Sequence, residues 1–69
     1  MSENVYKKIE VVGTSKESFA EATRNAVARA SSTLHGMSWF EVVEQRGRIG
    51  AKGEVEEFQV TLKIGLKLD

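Results

Sequence analysis

The stretch Phe58-Gln59-Val60-Thr61-Leu62-Lys63-Ile64-Gly65-Leu66-Lys67-Leu68 alternates apolar residues with others along its whole length. Side chains on a β-strand point to two faces in turn, so Phe58, Val60, Leu62, Ile64, Leu66 and Leu68 share one face without a break. That face is a core face. Gln59, Thr61, Lys63 and Lys67 take the other. The pattern thus defines one strand and its buried side, and through parity it decides which residues elsewhere can share a surface with which.

A second strand precedes it, Trp39-Phe40-Glu41-Val42-Val43-Glu44-Gln45-Arg46-Gly47, and Gly50-Ala51-Lys52-Gly53 supplies the tight connection of a β-hairpin. If Phe40 and Val42 join the core, Trp39 lies on the second face together with Gln59. A four-residue loop pairing Ile49 with Glu54 would instead place Trp39 on the core side with Ile64, because facing residues of a hairpin point the same way. The unbroken apolar face of the last strand is the stronger signal. The expectation is therefore a three- or five-residue loop, or a bulge near Gly47. Parity puts Arg46 on the core side unless a bulge turns it.

Upstream, Val5 to Val12 is rich in β-branched residues, with Val5, Lys7, Ile9 and Val11 on one face and Tyr6, Lys8, Glu10 and Val12 on the other. Both faces are mixed, which suits an edge strand, and Gly13 is expected to end it. Thr14-Ser15-Lys16-Glu17 matches a capping box, predicting a helix over about Lys16 to His35 with Gly36 as its stop. Its apolar stripe of Phe19, Ala22, Thr23, Ala26, Val27, Ala30 and Leu34 is mostly alanine, so the helix should approach the sheet closely. A right-handed crossover makes the first two strands parallel, and the hairpin slots the last strand antiparallel between them. The predicted fold is α+β, in the order strand, helix, strand, strand, with one helix covering one face of a three-stranded sheet.

A chain of 69 residues makes one domain, 1–69, with a core near the lower limit of independent stability. It has no cysteine and one histidine, so neither disulfides nor a thiolate or multi-histidine metal site can staple it. Association of several copies is the remaining staple. The uncovered sheet face, with Trp39, Val43, Val12 and Tyr6, points the same way. Ten basic and ten acidic residues give a net charge of zero, without the basic excess of a nucleic-acid or anionic-membrane binder. No apolar run approaches the roughly 18 residues of a membrane span. The polar start Met1-Ser2-Glu3-Asn4 has no signal-peptide architecture, which points to a cytoplasmic protein.

Taken singly, the candidate site residues read blandly. Trp39 suits an interface or core as well as a ligand, Gln59 suits a solvated strand face, and Arg46 and Lys67 suit surface ion pairs. Gly47, Gly50, Gly53 and Gly65 match no phosphate-binding fingerprint and are read as turn and bulge residues. Glu54, Glu56 and Glu57 read as a solvated acidic face, and His35 as a helix-end residue. Trp39 pairs near Lys63 or Gly65, several residues past Gln59, so a ligand touching both must lie in a pocket shared between subunits.

In order and at this spacing, Val11-Val12-Gly13-Thr14-Ser15, Ser38-Trp39-Phe40-Glu41-Val42, Arg46-Gly47 and Phe58-Gln59-Val60-Thr61-Leu62-Lys63-Ile64-Gly65 resemble the dodecin family over nearly the whole chain. The resemblance implies a hollow homododecamer that binds flavins in pairs between subunits without catalysis. It implies that Trp39 stacks on the isoalloxazine ring, that Gln59 reads the ring's polar edge, and that Arg46 lies beside the flavin pair. Lys67 falls where related chains carry a basic residue near the phosphate of FMN. FMN is the implied cofactor, with riboflavin or FAD as related flavins, and coenzyme A is a further ligand implied by some bacterial members.

Overall fold

The computed structural model describes residues 3–69, in the order β1 (Tyr6–Ser15), α1 (Phe19–Ala30), β2 (Met37–Ile49) and β3 (Val55–Lys67). Of the polar opening, Met1 and Ser2 lie outside the described residues. The sheet order is β1-β3-β2, with β3 antiparallel to both neighbours. The most apolar strand is thus central, where both of its edges are hydrogen-bonded. Val60 and Leu62 are wholly buried, Ile64 and Leu66 nearly so, and Phe58 meets Phe19 of the helix edge to face with ring centroids 4.9 Å apart. Leu68 was expected on this face but lies just past the end of β3, 44% exposed.

The helix is shorter than the periodicity predicts, and other residues cap it. Ser18 accepts a hydrogen bond from the Glu21 amide at 3.0 Å, one turn later than the predicted box. The Thr14–Glu17 box does not form because β1 runs on through Gly13 to Ser15, where Thr14 pairs with Gln59 and Ser15 with Phe58. Ladder pairing there satisfies backbone groups that the box would otherwise have claimed. At the other end, the Ser31 and Ser32 hydroxyls donate back to the carbonyls of Ala28 and Arg29, both at 2.7 Å. These local bonds compete with continued helix, so α1 stops at Ala30 and His35 sits exposed in the following loop. Gly36 does adopt a positive φ of 78°, yet not as a helix stop: its carbonyl accepts from the Lys67 amide at 2.8 Å, pinning the entry of β2 to the end of β3.

Gly13 does not end β1 but admits the helix. A Cβ at this position would collide with the Ala22 carbonyl oxygen and come within 2.6 Å of the Ala26 methyl group. Ala22 and Ala26 are the buried residues of α1, so the alanine stripe and Gly13 together let helix and sheet touch almost backbone to backbone. The helix lies over β1 and β3. A helix roughly 10 Å across covers about two strands at a spacing of about 4.8 Å, and β2 falls outside its footprint. Phe40 and Val42 therefore do not join the core as expected: they stay 48% and 46% exposed on the helix side.

The subunit is drawn out by its two strands of 13 residues, with extents of 57 × 20 × 14 Å and a radius of gyration of 14.5 Å. A compact chain of this length would have a radius of about 11 Å. Among the described residues no helix is long and apolar enough to cross a membrane.

Replacing Gly13 by alanine should destabilise the protein by about 1–3 kcal/mol, since the added methyl group meets backbone rather than a movable side chain. Chemical denaturation of the parent and Gly13→Ala checks this. An unchanged midpoint would contradict the close helix–sheet contact.

Candidate functional site

The site is assembled on the open face by the hairpin's register. Gly50 donates to the Glu54 carbonyl at 2.8 Å, and Gly53, at a φ of 84°, donates to the Gly50 carbonyl at 3.0 Å. Ala51-Lys52-Gly53 is thus a three-residue loop whose last residue takes the left-handed conformation that favours glycine. This loop pairs Ile49 with Val55. A ladder continued at that register would set Arg46 opposite Phe58, on the core face.

Two irregularities intervene. Between Ile49 and Arg48 the ladder passes over Glu56 on β3, and between Glu44 and Val42 it passes over Val43 on β2. Each shift reverses parity, and the two cancel from Val42 to Trp39, beyond which a third shift separates Trp39 from Met37. Trp39 consequently lies opposite Gly65, and Arg46 lies opposite Gln59 instead of Phe58. A bulge does turn Arg46 to the open face. Coming from the loop, the shift over Glu56 beside Arg48, close to Gly47, makes that turn, the Val43 bulge restores parity for Trp39, and both coexist with the three-residue loop.

At one end of this face, Gly65 is the floor under Trp39. A Cβ on Gly65 would come 2.6 Å from the indole Cδ2 and no farther from two other ring atoms, so the ring rests directly on the strand. Lacking a side chain at Gly65, β3 lets the indole reach across to Tyr6 of β1, edge to face at 4.9 Å between centroids. Trp39 remains 42% exposed, a flat aromatic surface held from below and from one side. Lys67, opposite Tyr6 in the ladder, shares this end. Lys8, paired with Gly65, spans β3 to donate to the Glu41 carboxylate at 2.8 Å. That hydrogen bond and the lysine's charge hold the Glu41 carboxyl below its ordinary pKa, with smaller contributions from Lys63 and Trp39.

At the other end, Arg46 Nε donates to Gln59 Oε1 at 2.8 Å, and Gln59 Nε2 donates to Glu57 Oε1 at 2.9 Å. Arg48 binds Glu56 at 2.6 Å and stands 3.8 Å from Glu57. Gln59 and Gly65 are about 20 Å apart along β3 at roughly 3.4 Å per residue. One chain therefore brings Trp39 together with Lys67 and Tyr6, and Arg46 together with Gln59, but does not bring the two groups together. Sequence reasoning placed Tyr6 on this face but did not see it as the indole's neighbour, and it missed Glu57 and the Lys8–Glu41 pair. Parity would have revealed Tyr6 and Lys67 once the β1–β3 register was in hand. Nothing in the sequence marks the positions of the two register shifts.

The family model described as Dodecin matches residues 5–69. The dodecin of Thermus thermophilus is 52% identical over 65 residues, spanning 94% of this chain and 93% of its own. The dodecin structure from Streptomyces davaonensis superposes with a TM-score of 0.92 at 47% identity, covering 99% of this chain and 98% of that one. The calcium dodecin of Mycobacterium tuberculosis, described as a calcium-chelating immunodominant antigen with a novel calcium-binding site, superposes with a TM-score of 0.81 at 29% identity over 94% and 91% of the two chains.

Two outcomes test this geometry. Gly65→Ala should lift the indole from the strand, red-shifting Trp39 emission and abolishing the near-ultraviolet dichroism of the Tyr6–Trp39 pair; an unaltered spectrum would contradict the stacking on Gly65. The stability drawn from the lowered Glu41 pKa is present above the ordinary carboxylate value and is lost as pH falls through the lowered one. Lys8→Met should raise the Glu41 pKa towards its ordinary value in a carboxyl NMR titration, and an unmoved titration would show that Lys8 is not the cause.

Proposed function

The chain belongs to the dodecin family, and from that membership we propose that it is a non-catalytic flavin store that holds FMN as stacked pairs between the subunits of a hollow homododecamer. In this reading each flavin lies on the indole of Trp39 from one subunit, while the Gln59 amide of another meets the polar edge of its ring. Riboflavin and FAD carry the same ring and bind in the same way. The protein works in the cytoplasm, where it buffers free flavin and suppresses its photochemistry.

One observation carries the reading: the indole is laid flat and half exposed on Gly65, on the same face as Gln59 but out of its reach within one chain. Such a platform suits a large planar heterocycle, since stacking buries much apolar area at little cost in side-chain entropy. A shared pocket also accounts for a subunit too elongated and too sparsely cored to be stable alone. Arg46, turned outward in the stretch between the two register shifts, stands beside the ring pair. Lys67, next to the Trp39 platform, supplies a point charge for the FMN phosphate, a weaker grip than a bidentate arginine would give. Stacked flavins leave no open ring face for a substrate, and His35, exposed in its loop, is not part of the open face. An indole at van der Waals distance is positioned to quench the excited flavin by electron transfer.

Among the described residues of one subunit, no group of three or more His, Cys, Asp or Glu side chains is placed to hold a metal. Titration of FMN with apoprotein, followed by flavin fluorescence and light-scattering mass, tests the proposal. Stoichiometric quenching on a particle near twelve subunits, lost in Trp39→Ala, is the expected result. Equal quenching by Trp39→Ala would refute the stacking role, and an intact particle that ignores FMN but binds coenzyme A would replace flavin storage with coenzyme A binding.

A further inference from the structure

The storage reading leaves one member of the Arg46–Gln59–Glu57 relay without a role, the Glu57 carboxylate. Glu57 and Gln59 stand two residues apart on β3 and share the open face, and the register sets Arg48 opposite Glu57 and Arg46 opposite Gln59. The four side chains form a block on that face. Arg46 donates to the oxygen of the Gln59 amide at 2.8 Å, and the nitrogen of the same amide donates to Glu57 at 2.9 Å. Glu57 is three-quarters covered, at 24% exposure, and the oxygen that accepts from Gln59 also has Arg48 Nε 3.8 Å away.

A guanidinium only donates hydrogen bonds, and an ionised carboxylate only accepts them. The two neighbours therefore satisfy the Gln59 amide in one orientation alone. Turning it over would set its NH2 group against the guanidinium and its oxygen against the carboxylate, losing both bonds and opposing like groups. The amide has two lone pairs and two hydrogens, of which Arg46 and Glu57 each engage one. One acceptor and one donor remain for a ligand. Their complement is a planar ring edge on which an N–H adjoins a carbonyl, the arrangement of an imide or lactam.

Resting on the flavin reading above, we infer that Glu57 is a positioning residue that, with Arg46, locks the Gln59 amide so that the site selects rings with a free imide N–H. The lock fixes which part of the amide meets the N–H and which meets the carbonyl. An unlocked amide must be ordered when the ligand arrives, and that ordering subtracts from affinity. An alkyl group on the imide nitrogen removes the N–H and holds the amide off the ring edge, so such a ligand gains little from the lock.

The test compares riboflavin with 3-methylriboflavin, by fluorescence quenching, on particles whose mass is confirmed by light scattering. The parent should prefer riboflavin. Glu57→Ala should weaken riboflavin binding by about fivefold, the scale of one net hydrogen bond, and leave 3-methylriboflavin unchanged, so that the preference shrinks. Glu57→Gln, which keeps an acceptor oxygen, should restore most of it. Where the alanine variant does not assemble, Glu57→Met keeps the stem of the side chain and serves the same comparison. Equal weakening of both flavins, an unchanged preference, or no rescue by glutamine overturns the inference while leaving flavin storage standing. A parent particle that binds neither flavin overturns the flavin reading and this inference with it.

Discussion

The structure depends on the burial of a single strand face. Val60 and Leu62 of β3 are wholly buried beneath Ala22 and Ala26, with Ile64 and Leu66 nearly so farther along the same face, and the helix contact is close because Gly13 presents no side chain between helix and sheet. Full burial of an aliphatic side chain is worth about 1.5–3 kcal/mol, so a core of this size leaves little margin over the entropy of ordering the chain. One helix turn lost or one methyl group misplaced at this contact is felt by the whole subunit.

Because the helix is narrow, burying β3 uses it up. β2 is left with Phe40 and Val42 exposed on one side, Trp39 on the other and Val43 exposed at the bulge. Exposed aromatics on an edge strand of this length would be a liability in an isolated monomer. The same exposure makes β2 the element through which the proposed assembly and flavin binding would run. Thin cover on one face and an open second face are thus one fact seen from two sides, and both favour the assembly proposed for the family member described here.

On the open face, function turns on a half-turn of parity. Between the two register shifts, Arg46 and Arg48 are brought to the open face, where they meet Gln59, Glu56 and Glu57. Beyond the Val43 shift the original parity returns and sets Trp39 on Gly65. The two halves of the site then differ in character. The Trp39 end offers a rigid apolar platform, with Tyr6 against the indole edge and the Lys8–Glu41 pair beside it, whereas the Gln59 end offers an oriented polar edge flanked by charges of both signs.

Much of this was legible in the residues. Period-two alternation identifies β3 and its buried face without any tertiary knowledge, because a strand's side chains can point only two ways. The alanine stripe announces a close helix, the length and apolar character of β3 place it between β1 and β2, and the separation of Trp39 from Gln59 follows from strand rise alone. The helix limits were not legible, since the Thr14–Glu17 pattern and the serines after Ala30 are each compatible with helix, and only pairing of β1 with β3 and the serine back-bonds decided against it. Nor was the side of Arg46: no local signal distinguishes Val43 or Glu56 from their neighbours as the residue a ladder will pass over. By itself the sequence determined which strand is buried, which way the chain crosses over and which residues lie too far apart to meet. Tertiary structure alone decided how far the helix reaches and which arginines turn to the open face, because both depend on long-range hydrogen bonds whose partners are settled only when the strands are side by side.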